Sequence, residues 1–157
     1  MKDNIEIINL ADRPQFIEEV SKLIWEQWSK HEGRTLDEAL YRTRHSIKKD
    51  QVPQTYIAIK GDEMLGTVHI WNNDLKCRQD LTPWMAALLV KPEYRNMGIG
   101  TMLQKKCIEV AGEMKYKSIY LITDHDGYYE KSGWNFLERA PLMGAKDGFT
   151  KIYEHAC

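Results

Sequence analysis

Two stretches of this chain combine residue types and spacing that can do chemistry. The first runs Val90-Lys91-Pro92-Glu93-Tyr94-Arg95-Asn96-Met97-Gly98-Ile99-Gly100-Thr101. An apolar segment enters a turn carrying two glycines and leaves it as an amphipathic helix. Such a turn aims unpaired N–H groups and the positive end of a helix dipole at one place, which suits a diphosphate. Gly98 and Gly100 let the backbone approach a ligand with no Cβ in the way. Arg95 stands at the entrance, and Thr101 adds a hydroxyl. The pattern falls short of the dinucleotide fingerprint, because position 103 is Leu. It is no Walker loop either, since no Gly-Lys-Ser/Thr follows. Taken alone, these residues are either an anion cradle or a purely structural turn.

The second stretch is Gly127-Tyr128-Tyr129-Glu130-Lys131-Ser132-Gly133-Trp134-Asn135-Phe136. It reads as a short helix near 126–132 ended by a left-handed Gly133, then an aromatic strand. Its phenols are either packed aromatics or a proton donor. Just before it stand Asp124, His125 and Asp126, which can accept protons or simply cap a loop.

The elements that must position these residues follow from periodicity. Ile5 to Leu10 alternates as a first strand. Asp12 is placed to cap a helix and Pro14 to sit in its first turn. Phe16, Ile17, Val20, Leu23 and Ile24 recur at helical spacing. Thr35 with Glu38 forms a capping box for a second helix through about Ile47. A hairpin turns at Gly61-Asp62, and Asn72 to Asp80 reads as a polar loop. Trp84 to Val90 is apolar on both faces, as a covered central strand would be. The helix over about 98–114 turns Ile99, Met102, Leu103, Cys107, Val110 and Met114 inward. Ser118 to Ile122 is a further strand, and about 134–140 and 148–155 close the sheet as a hairpin. The order β-α-α-β-β-β-α-β-α-β-β predicts an α/β (mixed α+β) single domain over residues 1–157. Its central sheet is mixed and mostly antiparallel, with one parallel strand pair and helices on both faces.

Composition narrows the class. The 157 residues carry a net charge of −1, so no global field favours a nucleic acid. Lys48-Lys49 and Lys105-Lys106 read as solvated surface. No apolar run has the length of a membrane span, and Met1 to Asn4 does not lead into the apolar core of a signal peptide. Cys77, Cys107 and Cys157 form neither a disulfide framework nor a metal site, so no metal and a cytoplasmic home are expected.

In this order, the two stretches resemble the GNAT superfamily of N-acetyltransferases, in detail over about 54–140. Val90-x-Pro-x-Tyr94-Arg95-x-x-Gly98-Ile99-Gly100 is similar to its acetyl-CoA pyrophosphate loop, and Tyr128-Tyr129-Glu130-Lys131-Ser132-Gly133-Trp134 to its "aromatic-Tyr-Glu-Lys-x-Gly-aromatic" segment. The stretch Asp80 to Trp84 resembles a generic bacterial subgroup. The resemblance implies that strand Trp84 to Val90 splays from its parallel neighbour. The pantetheine arm of acetyl-CoA would then pair with its backbone, lined by Leu88, Leu89 and Val90. It also implies that amides from Arg95 through Asn96, Met97, Gly98, Ile99 and Gly100, with Thr101, hold the diphosphate. Tyr129, directly before Glu-Lys-x-Gly, matches the acid that protonates the departing thiolate. The reaction implied is direct acetyl transfer to an amine; the alternative is a non-catalytic acyl-CoA sensor or interaction module on the same fold.

The general base stays open. Relatives place a Glu on the central strand, and none lies between Trp84 and Val90 here. Asp124, His125, Asp126, His69 and a chain of waters are the alternatives; Glu93 is expected to be solvated. On the acceptor side, Trp25 falls opposite Phe16 on the first helix and Trp28 at the margin of its apolar stripe. They would line an amine pocket, make a homodimer contact, or pack on the second helix. Glu26, Glu32 and Asp37 would attract a cationic amine, of a small molecule or of a peptide. Trp71 and Trp84 are expected to pack in the core or at the cleft edge.

Overall fold

The computed structural model describes residues 4–157, so the reading of Met1 to Asp3 lies outside it. Seven strands form one sheet in the order β1-β2-β3-β4-β5-β7-β6. They are β1 (Ile5–Asn9), β2 (Gln54–Lys60), β3 (Glu63–Trp71), β4 (Trp84–Val90), β5 (Ser118–Thr123), β6 (Asn135–Pro141) and β7 (Phe149–Ala156). Every pairing is antiparallel except β4 with β5.

Helices α1 (Ile17–Gln27) and α2 (Leu36–Arg44) lie on one face, and α3 (Ile99–Glu113) lies on the other. The alternation of β2 explains this. Ile57 and Ile59 meet Phe16, Val20 and Ile24 of the α1 side, while Tyr56 and Ala58 meet Leu103, Cys107 and Val110 of α3. The three cysteines are free, and no described helix is long and apolar enough to cross a membrane.

Local details correct three sequence expectations. Asp12 caps nothing. Two short 3-10 turns, Leu10–Asp12 and Pro14–Phe16, precede α1, so Asp12 lies too far upstream and pairs with Lys49 instead. Asn9 does the capping, its Oδ1 accepting from the Ala11 N–H at 2.9 Å. The second helix begins as expected, with Thr35 Oγ1 accepting from the Glu38 N–H at 3.1 Å, but it ends at Arg44 rather than Ile47. The short helix near 126–132 shrinks to one 3-10 turn, Glu130–Ser132, because Gly127 at φ +77° cannot start a helical run; Gly133 closes the turn at φ +88°.

Two irregularities around β4 shape the cleft. On the β5 side, parallel register exists only at Trp84 with Tyr120, supported by the Tyr120 N–H donating to Pro83 O at 3.1 Å. Beyond that point the two strands part. On the β3 side, register steps from Thr67↔Leu89 to His69↔Ala86, which leaves one extra residue on β4. This bulge centres on Ala87, whose φ is +51°.

Candidate active site

The glycine turn builds a cradle of free donors. Gly98 sits in the left-handed region at φ +81°, ψ 7°, directly before α3, and supplies no side-chain cap. Asn96 is also left-handed, at φ +64°. The first helical bond runs from the Met102 N–H to Gly98 O at 3.1 Å, so the amides of Ile99, Gly100 and Thr101 have no helical acceptor. Ile99 buries its side chain in the core and can offer only its backbone, whereas Asn96, Met97 and Thr101 are exposed. Arg95 braces the turn, its Nε donating to Val90 O at 3.2 Å. A Cβ on Gly100 would lie 3.1 Å from the Tyr128 hydroxyl. The phenol of the second stretch therefore stands over the cradle of the first. Free amides, a helix start and a nearby hydroxyl fit a diphosphate, and with it the CoA that the sequence resemblance implies.

The parting of β4 from β5 opens a cleft of about 1060 Å³. Met85, Ala86, Ala87 and Leu88 form one wall, and Leu121, Ile122 and Thr123 the facing one. Of the three residues expected to line the pantetheine arm, Leu88 faces this cleft. Leu89 is buried and paired with Thr67 of β3, and Val90 sits at the cradle end, its Cγ2 3.9 Å from the Cβ position of Gly100.

Tyr129 lies on the cleft wall, edge-on to Tyr128 with ring centroids 4.8 Å apart and edge-on to Trp134 at 6.2 Å. Trp134 is itself anchored, its Nε1 donating to the buried Gln104 Oε1 at 3.0 Å. Burial, with a smaller contribution from Tyr128, pushes the Tyr129 phenol up to about 12. The phenol is thus held neutral, as a donor must be, across the whole working pH range.

The sequence profile of the Acetyltransferase (GNAT) family matches residues 17–134. The chain belongs to the GNAT family. Solved structures agree on the fold. An aminoglycoside 6'-N-acetyltransferase complexed with coenzyme A superposes with a TM-score of 0.76, at 16% identity over 96% of each chain. The Enterococcus faecium aminoglycoside 6'-N-acetyltransferase gives 0.72 at 16% identity, over 97% of this chain and 96% of that one. A GNAT-family acetyltransferase from Staphylococcus aureus Mu50 gives 0.70 at 22% identity, over 97% and 98%. No curated protein matches significantly.

In this GNAT fold the candidate bases are sorted by their surroundings. Asp124, His125 and Asp126 line the outer cleft and are all exposed. Asp126 is paired with Lys151, whose hydrogen bond holds the carboxyl below its usual range. His69 is buried beneath the cleft. Thr55 Oγ1 donates to Ser46 O at 2.7 Å, so it accepts from the His69 Nδ1–H, also at 2.7 Å. Burial, helped by Arg42, pushes the imidazole down to about 3, so His69 is a packed neutral residue.

The acceptor side was only partly visible in the sequence. Trp28 and Glu32 line the cleft. Trp25 does not; its Nε1 donates to Arg34 O at 2.9 Å and Lys30 lies over its ring at 5.2 Å, so it ties down the α1–α2 connection. Glu26 and Asp37 also stand outside the cleft lining. As expected, Trp71 meets the cleft edge and Trp84 packs in the core. Two residues went unnoticed in the sequence. Arg42 of α2 lies over the Trp71 ring at 4.9 Å, and Asp74, half-buried, follows β3 in the same wall. Nothing in the polar run Asn72 to Asp80 marks Asp74 apart from its neighbours.

Proposed function

We propose that this chain, as a single domain over 1–157, is an acetyl-CoA-dependent N-acetyltransferase. It passes the acetyl group directly to a primary amine of a small molecule or peptide. One observation carries the reading: the cradle of unpaired amides abuts Tyr128, and the adjoining Tyr129 puts a neutral phenol on the wall of the cleft where β4 and β5 have parted. The structural neighbour that holds coenzyme A supports the choice of donor.

Each residue then has a physical task. The amides of Gly98, Ile99, Gly100 and Thr101 receive the diphosphate, with Asn96 and Met97 giving the turn its shape and Arg95 bracing it from below. β4 offers Leu88 and the main chain around the Ala87 bulge to the thiol arm, since the bulge frees groups that the β3 ladder would otherwise occupy. A free N–H there can stabilise charge developing on the thioester oxygen. Tyr129 donates toward the departing sulfur. Its phenol, at about 12, is a weaker acid than the ordinary ~10. A thiolate drawn into the same dry cleft is raised by the same desolvation, which keeps the pair matched.

The test is direct. Calorimetric titration with acetyl-CoA should saturate, and CoA thiol should appear when an amine panel is added, beginning with amino sugars and polyamines. Saturable binding without thiol release from any amine would favour the sensor alternative. No binding by folded protein would end the reading.

A further inference from the structure

We propose that Asp74 is the proton acceptor for the substrate amine, its carboxylate taking the proton from the acceptor ammonium in the α1–α2 wall of the cleft. The inference rests on the acetyl-transfer reading above. Its first support is placement. Asp74 follows β3, half-buried, in the wall that also holds Trp28, Glu32, Arg42 and Trp71. Aromatic rings beside carboxylates suit an ammonium carried on an apolar stem. The second support is an open donor: the buried Trp71 Nε1–H of the same wall has no partner among the described residues. An acceptor bearing an oxygen beside its amine would satisfy that N–H while its nitrogen meets Asp74. Amino alcohols and amino sugars have this arrangement.

The third support is that two rivals are occupied and two are exposed: Asp126 is tied to Lys151 and His69 is closed in by Thr55, while Asp124 and His125 stand exposed at the outer cleft. The charges around Asp74 are of both signs. Arg42 comes from α2 and Glu32 from the turn after α1; across the cleft Arg139 is paired with Asp147, beside Lys146. Burial pushes the Asp74 carboxyl up to about 7, with Arg42 opposing and Glu32 adding to the rise. An ammonium near 10 then faces a proton transfer uphill by about three orders of magnitude, where an ordinary carboxylate would face about six.

The protons balance. The ammonium gives one proton to Asp74, which passes it to water, and the nitrogen lone pair bonds to the thioester carbon. The C–S bond breaks, Tyr129 protonates the sulfur, and the second proton lost from nitrogen restores the phenol. The products are the amide, CoA thiol and one proton in solution.

The experiment compares wild type, Asp74→Asn and Asp74→Glu on two acceptors: an alkylamine with pKa near 10, and hydroxylamine, which is neutral at pH 7.5. With the alkylamine, wild-type kcat/KM should level off above about pH 7–8. Asp74→Asn should fall ~10²–10⁴-fold at pH 7.5 and keep climbing toward the amine's own pKa. With hydroxylamine the loss should stay below about tenfold, acetyl-CoA affinity should stay within twofold, and Asp74→Glu should regain the plateau. Melting of Asp74→Asn within a few degrees of wild type excludes a folding defect. Equal losses on both acceptors, or an unchanged pH profile, would overturn the role of Asp74. A wild type that turns over no amine would instead overturn acetyl transfer itself, and this inference with it.

Discussion

Gly66 faces Val90 across the β3–β4 ladder, where a side chain is crowded. A Cβ at position 66 would lie 2.8 Å from Leu89 O, 3.3 Å from Val90 Cα and 3.4 Å from Leu103 Cδ1. The two nearest atoms are backbone, so no side chain can swing aside. Restoring ordinary contact would push β4 roughly 0.6 Å away from β3, toward the cleft it lines. Such overpacking costs about 1–3 kcal/mol. Replacing glycine also stiffens the unfolded chain, which returns about 0.4–1 kcal/mol, so the net remains unfavourable. At ~2–4 °C per kcal/mol for a chain of this size, Gly66→Ala should melt some degrees lower, up to about 10 °C. Because the displaced strand carries the Ala87 bulge, acetyl-CoA affinity should weaken as well. Scanning calorimetry and calorimetric titration read the two effects separately. A variant that melts within about 1 °C of wild type and binds acetyl-CoA unchanged would refute the reasoning, which treats β4 as clamped between α3 and β3.

Gly98→Val places a β-branched residue at φ +81°. Flattening of the turn should then remove two or more amide–phosphate bonds, a loss of ~10²–10⁴-fold in acetyl-CoA affinity by titration; wild-type affinity would contradict the cradle. Tyr129→Phe should lower turnover ~10²-fold or more with affinity nearly intact, and a fully active variant would rule the phenol out as the acid. Because that phenol stays protonated to about 12, the wild-type rate should show no alkaline fall from it below pH ~11. His69 should weaken the fold in acid. The unfolded imidazole binds a proton below ~6.5 while the folded one resists until about 3, so stability should decline as pH drops through that window. A His69→Asn variant, denatured with urea across pH, should show a shallower decline; an identical slope would refute the assignment.

What could be read from the sequence was whatever lies contiguous along it. The cradle and the Tyr129 turn are local, so their glycines and phenols announced themselves, and Thr35 with Glu38 marked a helix start that the structure contains. The cleft wall assembled from Trp28, Arg42 and Asp74 comes from three separate segments, and only tertiary packing brings them together. The Ala87 bulge was invisible for another reason. Its left-handed φ is held by an alanine, with no glycine or asparagine to signal it, so the surrounding sheet must impose the conformation. Gln104 is buried in α3 with Trp134, thirty residues away, as its hydrogen-bond partner, a pairing that helical periodicity cannot show. The Asp12 cap failed because local preference cannot count the extra turns that precede α1.

The donor grip proposed here is made of main chain, and that has an evolutionary consequence. Peptide groups are common to every residue, so a cradle built from them survives almost any replacement that preserves its dihedral angles. The aminoglycoside 6'-N-acetyltransferase and this protein share the fold at 16% identity. The opposite wall presents indoles, a guanidinium and carboxylates, each of which a single codon change can alter. On this reading one half of the cleft depends on backbone geometry, and the other on the identity of its side chains.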